Sequence, residues 1–447
     1  MAPRTTVRIG WGSAYADDNL DPAEDLARWG QLDALCFDAL AERTLALAHV
    51  RRQADPESGY DLRLDEFGRR FLPYAARGLT LVTNMGAANP RAAGQRLKTL
   101  ARQLGLGNMA IAVVEGDDVL AAVKAMDPLL QETGAPLSAL RGRVVSANAY
   151  LGADPVVAAL AQGARVVVGG RIADPSLGLA VMSHFFGWGP EDWERRGQGI
   201  VVGHVLECGS QVTGGNFADP PYRVVPGLDR LGMPWAEVAE DGSAIISKLP
   251  EAGGYVTVNT VKAQLVYEIH DPARYYTPDV TADFTAVEVS NVGPNRVSLR
   301  GGRGTPPPAT LKVLVGVDEG YHGEAEIGFA GPGAYDRARL CQDVLVSRYD
   351  RLYRGDCQDM RIDLIGVNAT YGPAARPSAV PPEEVRVRMA VATYDREVAE
   401  RVTREVEWQY FGPAGAGGVR RRVTPRLAMY STVIDRERVK PRVVWPD

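Results

Sequence analysis

The residues best placed for chemistry stand in a short charged loop within the run VVVGGRIADPSL (166–177). Arg171 comes directly after a predicted strand, and Asp174 and Pro175 then open a helix, because Asp is a favoured N-cap and Pro fits the first helical turn. Ligands of open α/β sheets bind beyond the carboxyl ends of the strands, and helix N-termini attract anions. We therefore predict that Arg171 binds an anionic group and that Asp174 takes part in catalysis.

A second group of candidates lies in the run GHVLECGSQVTGG (203–215). If this stretch is helical, His204, Glu207 and Cys208 share one face. A His beside a carboxylate is a usable general acid/base pair, because each side chain tunes the pKa of the other. The alternative is a half-buried His with no catalytic duty. We predict His204 and Glu207 as catalytic, and the closing glycines, Gly214 and Gly215, as substrate-binding.

Polar residues also follow the other predicted strands. The carboxyl ends of parallel strands meet at one rim, so these side chains are expected to converge there. The alternative is that Asn, Asp and Gly serve turns and caps, which explains a single loop residue of these types but not Arg171 or Tyr150. The predicted substrate-binding residues in these loops are Asn84, Asn89, Glu115, Asp117, Asn148 and Tyr150.

A third polar group belongs to a predicted helix over Val261–Ile269. Its apolar stripe leaves Gln264 and Glu268 on another face, which is ordinarily solvated in an amphipathic surface helix. Tyr275 and Asp279 follow among prolines. We interpret these two residues as braces of a loop rather than as reacting groups.

The sequence predicts no metal site and identifies no cofactor. Five histidines and four cysteines are dispersed along the chain, whereas zinc needs three or four ligands at recognisable spacing; a metal held through space by Asp and Glu stays open. The turn from Gly10 to Ser13 begins a dinucleotide fingerprint, but Tyr15 stands where its third glycine belongs. No Walker-type phosphate loop occurs.

The elements that must position these residues alternate between strand and helix over about the first 190 residues. Such alternation predicts a parallel sheet that is buried on both faces. The predicted strands are Val7–Trp11, Leu35–Phe37, Leu79–Thr83, Ala110–Val114, Val144–Ala147 and Val166–Gly169. An acid or amide before proline predicts helix starts at Asn89-Pro90, Asp154-Pro155 and Asp174-Pro175.

We predict an α/β fold with three regions. Residues 1–198 form an α/β domain with a mainly parallel sheet and a cleft, and residues 199–332 form a mixed β-rich region with one helix that can pack on the first domain. Residues 333–447 form a small α+β domain. Its predicted helices and strands are Tyr335–Tyr349, Met360–Val367, Val385–Ala392 and Asp395–Glu407.

The composition fits an enzyme-sized globular chain and excludes some partners. Of 447 residues, 45% are hydrophobic, the net charge is −5, and the basic residues are scattered, which argues against nucleic acid as a partner. No apolar run approaches the roughly 18 residues of a membrane span. Four widely spaced cysteines and an N-terminus without a secretory pattern indicate the reducing cytoplasm. We expect a cytoplasmic protein, with no membrane partner, that forms a homo-oligomer.

Several long motifs together resemble one protein family. They are DALAERT (38–44), TNMGAANP (83–90), YLGA (150–153), GGRIADPSL (169–177), GHVLECGSQVTGG (203–215), QLVYEIHDP (264–272) and GPAGAGG (412–418). In this order they are similar to the acyclic terpene utilisation (AtuA) family over about residues 7–435. The run NMGAA (84–88) stands where relatives tend to have NAGG. We expect the chain to lack a small domain that some members carry after this core.

The resemblance implies catabolism of branched terpenes through acyl-CoA thioesters, with a CoA thioester as substrate. The absent domain implies a small partner protein that supplies that part. We expect an enzyme that acts on a branched acid or acyl-CoA by addition or elimination, as a hydratase, dehydratase or lyase. Such chemistry needs an acid/base pair and donors for the thioester or carboxylate oxygen. His204 and Glu207 would move the proton, Arg171 would bind the anionic group, and the orienting residues would be Asn84, Asn148 and Tyr150.

The alternative is a non-catalytic subunit that binds an acyl-CoA or a partner protein. The glycine-rich turn at 412–418, if exposed, would offer such a subunit a contact surface. The absent small domain fits this alternative as well. Turnover of an acyl-CoA favours the enzyme, and stoichiometric binding without product favours the subunit.

Overall fold

The computed structural model describes residues 5–376, 378, 380–412 and 414–447, and it has a mixed α/β fold. The strands are β1 (Thr6–Trp11), β2 (Ala34–Phe37), β3 (Thr80–Thr83), β4 (Ile111–Glu115), β5 (Arg143–Ala149), β6 (Val166–Gly169), β7 (Pro234–Ala239), β8 (Ala244–Lys248), β9 (Tyr275–Tyr276), β10 (Thr281–Asp283), β11 (Glu288–Gly293), β12 (Arg296–Arg300), β13 (Arg303–Thr305), β14 (Thr310–Ala330), β15 (Asp359–Ile365), β16 (Glu384–Thr393), β17 (Gly417–Asp435) and β18 (Arg442–Val444). The helices are α1 (Asp21–Trp29), α2 (Glu42–Ala54), α3 (Leu64–Ala76), α4 (Pro90–Gln103), α5 (Leu120–Met126), α6 (Asp154–Ala161), α7 (Asp174–Phe186), α8 (Trp193–Glu207), α9 (Val258–Leu265), α10 (Ala334–Leu352) and α11 (Arg396–Trp408).

The chain divides into two compact units. Unit 1 comprises Met1–Leu137, Val145–Val315 and Met429–Asp447, and unit 2 comprises Ser138–Val144 and Gly316–Ala428. The predicted ranges 1–198, 199–332 and 333–447 have other bounds. That finer division of the chain stays a prediction.

Unit 1 is built on a ten-stranded sheet with the order β11-β12-β8-β7-β1-β2-β3-β6-β4-β18. Its five central strands, β1-β2-β3-β6-β4, are parallel to one another, and they are short, apolar and buried, as strands covered on both faces must be. The flanking strands are antiparallel. The α/β class is confirmed, but the sheet as a whole is mixed, because the predicted β-rich middle region adds four strands to it.

One predicted strand of the parallel sheet is wrong. The run at 144–147 does form a strand, β5, but this strand pairs with β14 and lies outside the ten-stranded sheet. The physical reason is visible in its residues: Ser146 and Asn148 alternate with small apolar residues, whereas a strand buried between two layers of helices is apolar on both faces.

Trp11, the last residue of β1, and Gly12, the residue after it, face opposite sides of the sheet. A Cβ at Gly12 would meet the ring of Phe37, and Phe37 packs edge-to-face on Phe67 and Phe71 of α3, with ring centres 4.9 and 4.7 Å apart. Trp11 points the other way, as successive residues of a strand do. Its ring lies 3.2 Å from a Cβ built at Gly178 of α7.

The helix starts follow the predicted positions, but the capping differs. Asn89 caps α4 as predicted, because its side chain accepts from Ala92 N. The N-caps of α6 and α7 are Ala153 and Ala173, with no side-chain cap, so the N-cap role predicted for Asp174 is wrong. Asp174 is the first residue of its helix, and its carboxylate is bound by a nearby arginine instead.

Helix α9 lies earlier than predicted and buries a residue expected on its solvated face. A capping box between Thr257 and Thr260 starts it at Val258, and it ends at Leu265. Gln264 is fully buried, and its Nε2 donates to the carbonyl oxygen of His204 at 3.1 Å. Glu268 is exposed, as predicted.

Unit 2 holds a sheet in the order β15-β16-β14-β17, to which β14 and β17 contribute their residues in this unit. Helices α10 and α11 pack on β16, around buried side chains that include Ile327, Val387 and Val402. The predicted helices and strands of this region are present within a few residues of their expected bounds. Of the glycine-rich turn at 412–418, Pro413 lies outside the described residues, and β17 starts at Gly417.

A membrane span would require a long apolar helix. Within the described part of the chain no helix meets that requirement.

Gly203 allows α8 to approach α7 closely, which gives a first prediction. A Cβ at Gly203 would lie 2.5 Å from the carbonyl oxygen of Pro175 and 2.9 Å from its Cα. These are backbone atoms that cannot rotate away, so we expect Gly203→Ala to lower the free energy of unfolding by about 1–3 kcal/mol, measured by urea denaturation. Gly178→Ala on α7 is the control, because its Cβ first meets the Trp11 side chain at 3.2 Å. Equal losses at both glycines would contradict this explanation.

Candidate functional site

Arg171 forms the centre of the candidate site, two residues after the end of β6. It is only 2% exposed. Its backbone N–H donates to Asp117 Oδ2 at 2.9 Å, and its Nη1 donates to Leu40 O at 3.0 Å and to Asp174 Oδ1 at 2.8 Å. The guanidinium carbon lies 4.1 Å from the centre of the Tyr150 ring. Loops that follow β2, β4, β5 and β6 therefore meet at this one residue.

Asp38 and Asn84 form a buried hydrogen-bonded pair beside it. Asn84 Nδ2 donates to Asp38 Oδ1 at 2.6 Å, and the backbone N–H of Leu40 donates to the same oxygen at 3.1 Å. Burial raises the pKa of Asp38 well above its usual range, and the charge of Asp174 raises it further, against the opposing charge of Arg171.

Asp117, Asn148 and His49 form a second buried chain of hydrogen bonds. Asn148 Nδ2 donates to Asp117 Oδ2 at 2.8 Å, so its Oδ1 accepts from His49 Nε2, also at 2.8 Å. Burial raises the pKa of Asp117 and lowers the pKa of His49. Asn148 thus holds the carboxyl group that also accepts from the backbone of Arg171.

His204 and Glu207 lie on the last turn of α8, as predicted. His204 Nδ1 is 2.6 Å from Glu207 Oε1. Burial raises the pKa of Glu207 to about 7, although His204 works to lower it. His204 is 1% exposed, its ring lies 5.5 Å from the ring of Tyr275, and its Nε2 is buried without a hydrogen-bond partner, as is Glu207 Oε2.

Electrostatic interactions connect the His204–Glu207 pair with the cluster around Arg171. Burial raises the pKa of Glu207 most, and the charge of Asp174 raises it further. Burial raises the pKa of Tyr275, which Glu207 and Asp174 raise further, and burial raises the pKa of Tyr150 to about 12. Asp174 is therefore near each of these groups, and its side chain, 29% exposed, reaches solvent.

The structure brings together eight of the twelve predicted site residues. They are Asn84, Asp117, Asn148, Tyr150, Arg171, Asp174, His204 and Glu207.

The other four predicted residues have local partners. Asn89 donates to the carbonyl oxygens of Pro56 and Ser58 while it caps α4. Glu115 pairs with Arg91 at 2.8 Å and with Arg442 at 2.9 Å. Gly214 adopts a positive φ in a loop against Val225, and Gly215 faces the backbone of Ser210. The substrate-binding roles of these four stay predictions without support from these contacts.

Sequence reasoning missed Asp38 and His49 and assigned Tyr275 only to a loop. Asp38 directly follows β2, so the rule that gave Asn84 and Arg171, polar residues after strands, could have found it. His49 lies inside α2, and only its hydrogen bond to Asn148 shows that it belongs to the site. The Tyr275 ring lies at a tilted angle beside that of His204, and only the fold brings these two residues together, because they are far apart in sequence. Across the described residues, no group of three or more His, Cys, Asp or Glu side chains is arranged to hold a metal ion.

Comparison with known proteins identifies the family. The model of the acyclic terpene utilisation family protein AtuA matches residues 7–445. The chain belongs to the AtuA family. No curated protein matches the sequence. Among solved structures, a homoserine dehydrogenase from Thiobacillus denitrificans is 12% identical over 90% of this chain and 87% of that chain, with a TM-score of 0.15, which is too low to indicate a shared fold.

In this AtuA family chain, removal of the Arg171 guanidinium is expected to destabilise the fold. Arg171→Met leaves Asp174 without its cation and Leu40 O without a donor. Loss of one partner of a buried pair costs about 3–5 kcal/mol, and we expect the lower end because Asp174 is partly solvated. Urea denaturation measures this loss, and the double variant Arg171→Met/Asp174→Asn should recover part of it. Unchanged unfolding of the single variant would contradict the central role of Arg171.

Glu207 is expected to make stability pH-dependent. Its pKa is about 7 in the folded chain and 4.5 as an ordinary carboxyl, so between these pH values the folded chain binds more protons than the unfolded chain. Stability therefore falls as pH rises from about 4.5 to 7, by at most about 1.4 kcal/mol per pH unit. Glu207→Gln should make the slope measured by urea denaturation at several pH values shallower, and Asp38 and Asp117, whose pKa values burial also raises, account for the slope that remains. Glu194→Gln, at an exposed position on the same helix, should retain the full slope. Parallel pH profiles for the wild type and Glu207→Gln would refute the shift.

Proposed function

We propose that this chain is an enzyme that moves a proton at the carbon next to the carbonyl group of a branched acyl-CoA or acid, in an addition or elimination reaction. The hydratase, dehydratase and lyase classes all contain this step. The observation that carries the proposal is the buried His204–Glu207 pair, with 2.6 Å between Nδ1 and Oε1. The family description, acyclic terpene utilisation, supports a branched substrate.

Glu207 is the proposed base. A general base works best when its pKa lies near the operating pH, and the pKa of Glu207 is about 7. Its Oε2 is buried with no hydrogen-bond partner, and an unmatched buried acceptor costs about 1–3 kcal/mol. In the proposed reaction this oxygen takes the proton from carbon, and His204 stabilises the carboxylate in the ground state before the proton is transferred.

Arg171 is proposed to act mainly by positioning Asp174 and Tyr150. Its Nη1 already serves two acceptors, Nη2 lies 3.4 Å from Asp174 Oδ2, and one face of the guanidinium is covered by the Tyr150 ring. The Nε–H is buried without a hydrogen-bond partner among the described residues, so it is the donor left for an anionic ligand beside the Nη groups that already bind Asp174 and Leu40. Its charge remains available to the developing enolate at longer range. Asn84 and Asn148 are proposed to orient the neighbouring carboxyl groups of Asp38 and Asp117, to which they donate.

The test is hydrogen exchange at the acyl carbon. The chain is incubated in ²H₂O with isovaleryl-CoA and with a panel of other branched acyl-CoAs, and deuterium uptake is followed by mass spectrometry. We expect Glu207→Gln and His204→Gln each to slow uptake by about a hundred- to ten-thousand-fold, with little change in the melting temperature at neutral pH. Glu194→Gln, the same substitution on an exposed part of α8, should leave the rate unchanged.

Two outcomes would contradict the proposal. Stoichiometric binding of an acyl-CoA with no deuterium uptake would favour the non-catalytic subunit, and normal uptake in folded Glu207→Gln would exclude Glu207 as the base.

The cytoplasmic location, the homo-oligomer and the small partner protein stay predictions. Native mass spectrometry of the purified chain tests the homo-oligomer directly.

A further inference from the structure

Asp38 is a buried carboxyl group that the proposed proton transfer does not use. It is 5% exposed, and its backbone is fixed because Ser13 Oγ donates to Asp38 O at 2.6 Å and Asp38 N donates to Ser13 O at 3.2 Å. It lies near both parts of the site. In its ionised form Asp38 would interact electrostatically with both Arg171 and Cys208, and Cys208 directly follows Glu207.

Among the described residues, the hydrogen bonds to the Asp38 carboxyl group all reach one of its two oxygens, Oδ1. The backbone N–H of Ala39 donates to Asn84 Oδ1 at 2.7 Å, which fixes the orientation of the Asn84 amide. Its Nδ2 therefore has to face Asp38, and it donates to Oδ1 at 2.6 Å. Leu40 N donates to the same oxygen at 3.1 Å. An oxygen that accepts two N–H groups is the carbonyl-like oxygen of the carboxyl, so a proton on Asp38 belongs on Oδ2.

The nearby positive charge is already matched by another acid. Asp174 receives two contacts from the Arg171 guanidinium, at 2.8 and 3.4 Å. Asp38 is connected to Arg171 through the backbone of Leu40: the Leu40 N–H donates to Asp38, and the Leu40 C=O accepts from Arg171. Two carboxylates cannot both be neutralised by one guanidinium. The more exposed acid with the direct bonds keeps the charge, and the deeper acid keeps a proton.

We propose that Asp38 is a neutral carboxylic acid in the folded chain and that its Oδ2–H donates a hydrogen bond to the carbonyl oxygen of the substrate. This role rests on the proposed function. When the base removes the proton from carbon, the C–H electron pair forms a C=C bond, and the carbonyl π electrons move to the oxygen. The hydrogen bond from Asp38 stabilises that oxygen without transfer of the Asp38 proton, and return of a proton from the base to carbon restores the substrate.

Infrared difference spectroscopy tests the neutral acid without any substrate. The wild type minus Asp38→Asn should show the C=O stretch of a protonated carboxyl group at neutral pH. Asp174→Asn should lose the same band, because Asp38 then ionises beside Arg171. Since Asp174 is partly exposed, this variant tests the protonation of Asp38 even if Asp38→Asn does not fold. Asp241→Asn, the same change at an exposed carboxylate, should keep the band. A wild type without the band would overturn the proposal.

Deuterium uptake into the acyl-CoA tests the hydrogen bond. We expect Asp38→Ala to slow uptake by about a hundred- to a thousand-fold, as loss of one oxyanion donor does. Asp38→Asn should slow it less, because its amide N–H groups occupy the place of the Oδ2–H. Equal rates in the wild type and folded Asp38→Ala would overturn the role of Asp38. If no acyl-CoA exchanges in the wild type, the proposed function fails while the infrared band still decides whether Asp38 is neutral.

Discussion

A buried guanidinium must find its acceptors inside the protein, and Arg171 imposes this requirement at the centre of unit 1. Its partners come from separate parts of the chain: the carbonyl of Leu40 after β2, the ring of Tyr150 after β5, and the carboxylate of Asp174 at the start of α7. The loop after β4 is joined through Asp117, which accepts from the backbone of Arg171. One residue therefore fixes the relative positions of four loops, and an error in any of them would leave a buried charge unmatched.

The packing of α7 on α8 adds the second half of the site. Asp174 precedes Pro175 at the start of α7, and His204 follows Gly203 near the end of α8, so the close approach of Gly203 to Pro175 places Asp174 beside His204 and Glu207. This approach is possible only because Gly203 has no Cβ. The contact explains why the charge of Asp174 acts on Glu207 and Tyr275 although no hydrogen bond joins them. The close packing of α7 on α8 thus determines which ionisable groups interact with Asp174.

The sequence predicted the elements better than the partners of individual side chains. Val166–Gly169 was predicted to the residue because an apolar β-branched run between turn signals has few alternatives in a parallel sheet. The rule that polar residues gather at the carboxyl ends of parallel strands predicted Asn84 and Arg171, which follow β3 and β6. It also selected Asn148 and Tyr150, although their strand, β5, lies outside the parallel sheet. The same rule selected Glu115, whose carboxylate pairs with Arg91 and with the distant Arg442, and its substrate-binding role stays a prediction. The Asp-Pro pattern led to Asp174 being misassigned as a helix cap, because spacing along the chain does not reveal that Arg171 binds the Asp174 carboxylate.

The four buried or partly buried acids of the site are stabilised in two different ways, and this difference matters for the proposed chemistry. Asp174 is stabilised as an anion by Arg171, and Asp117 accepts N–H groups from Arg171 and Asn148. Within the described part of the chain no arginine contacts Glu207 or Asp38 directly, and burial raises the pKa of both. One cation cannot serve all four, so the acids that it does not contact hold their protons to higher pH. A site organised in this way has both proton-accepting and proton-donating carboxyl groups near neutral pH, which is what transfer of a proton from carbon requires. The arrangement follows from the placement of a single arginine, and this makes the position of Arg171, rather than the number of acids, the feature on which the proposed reaction depends.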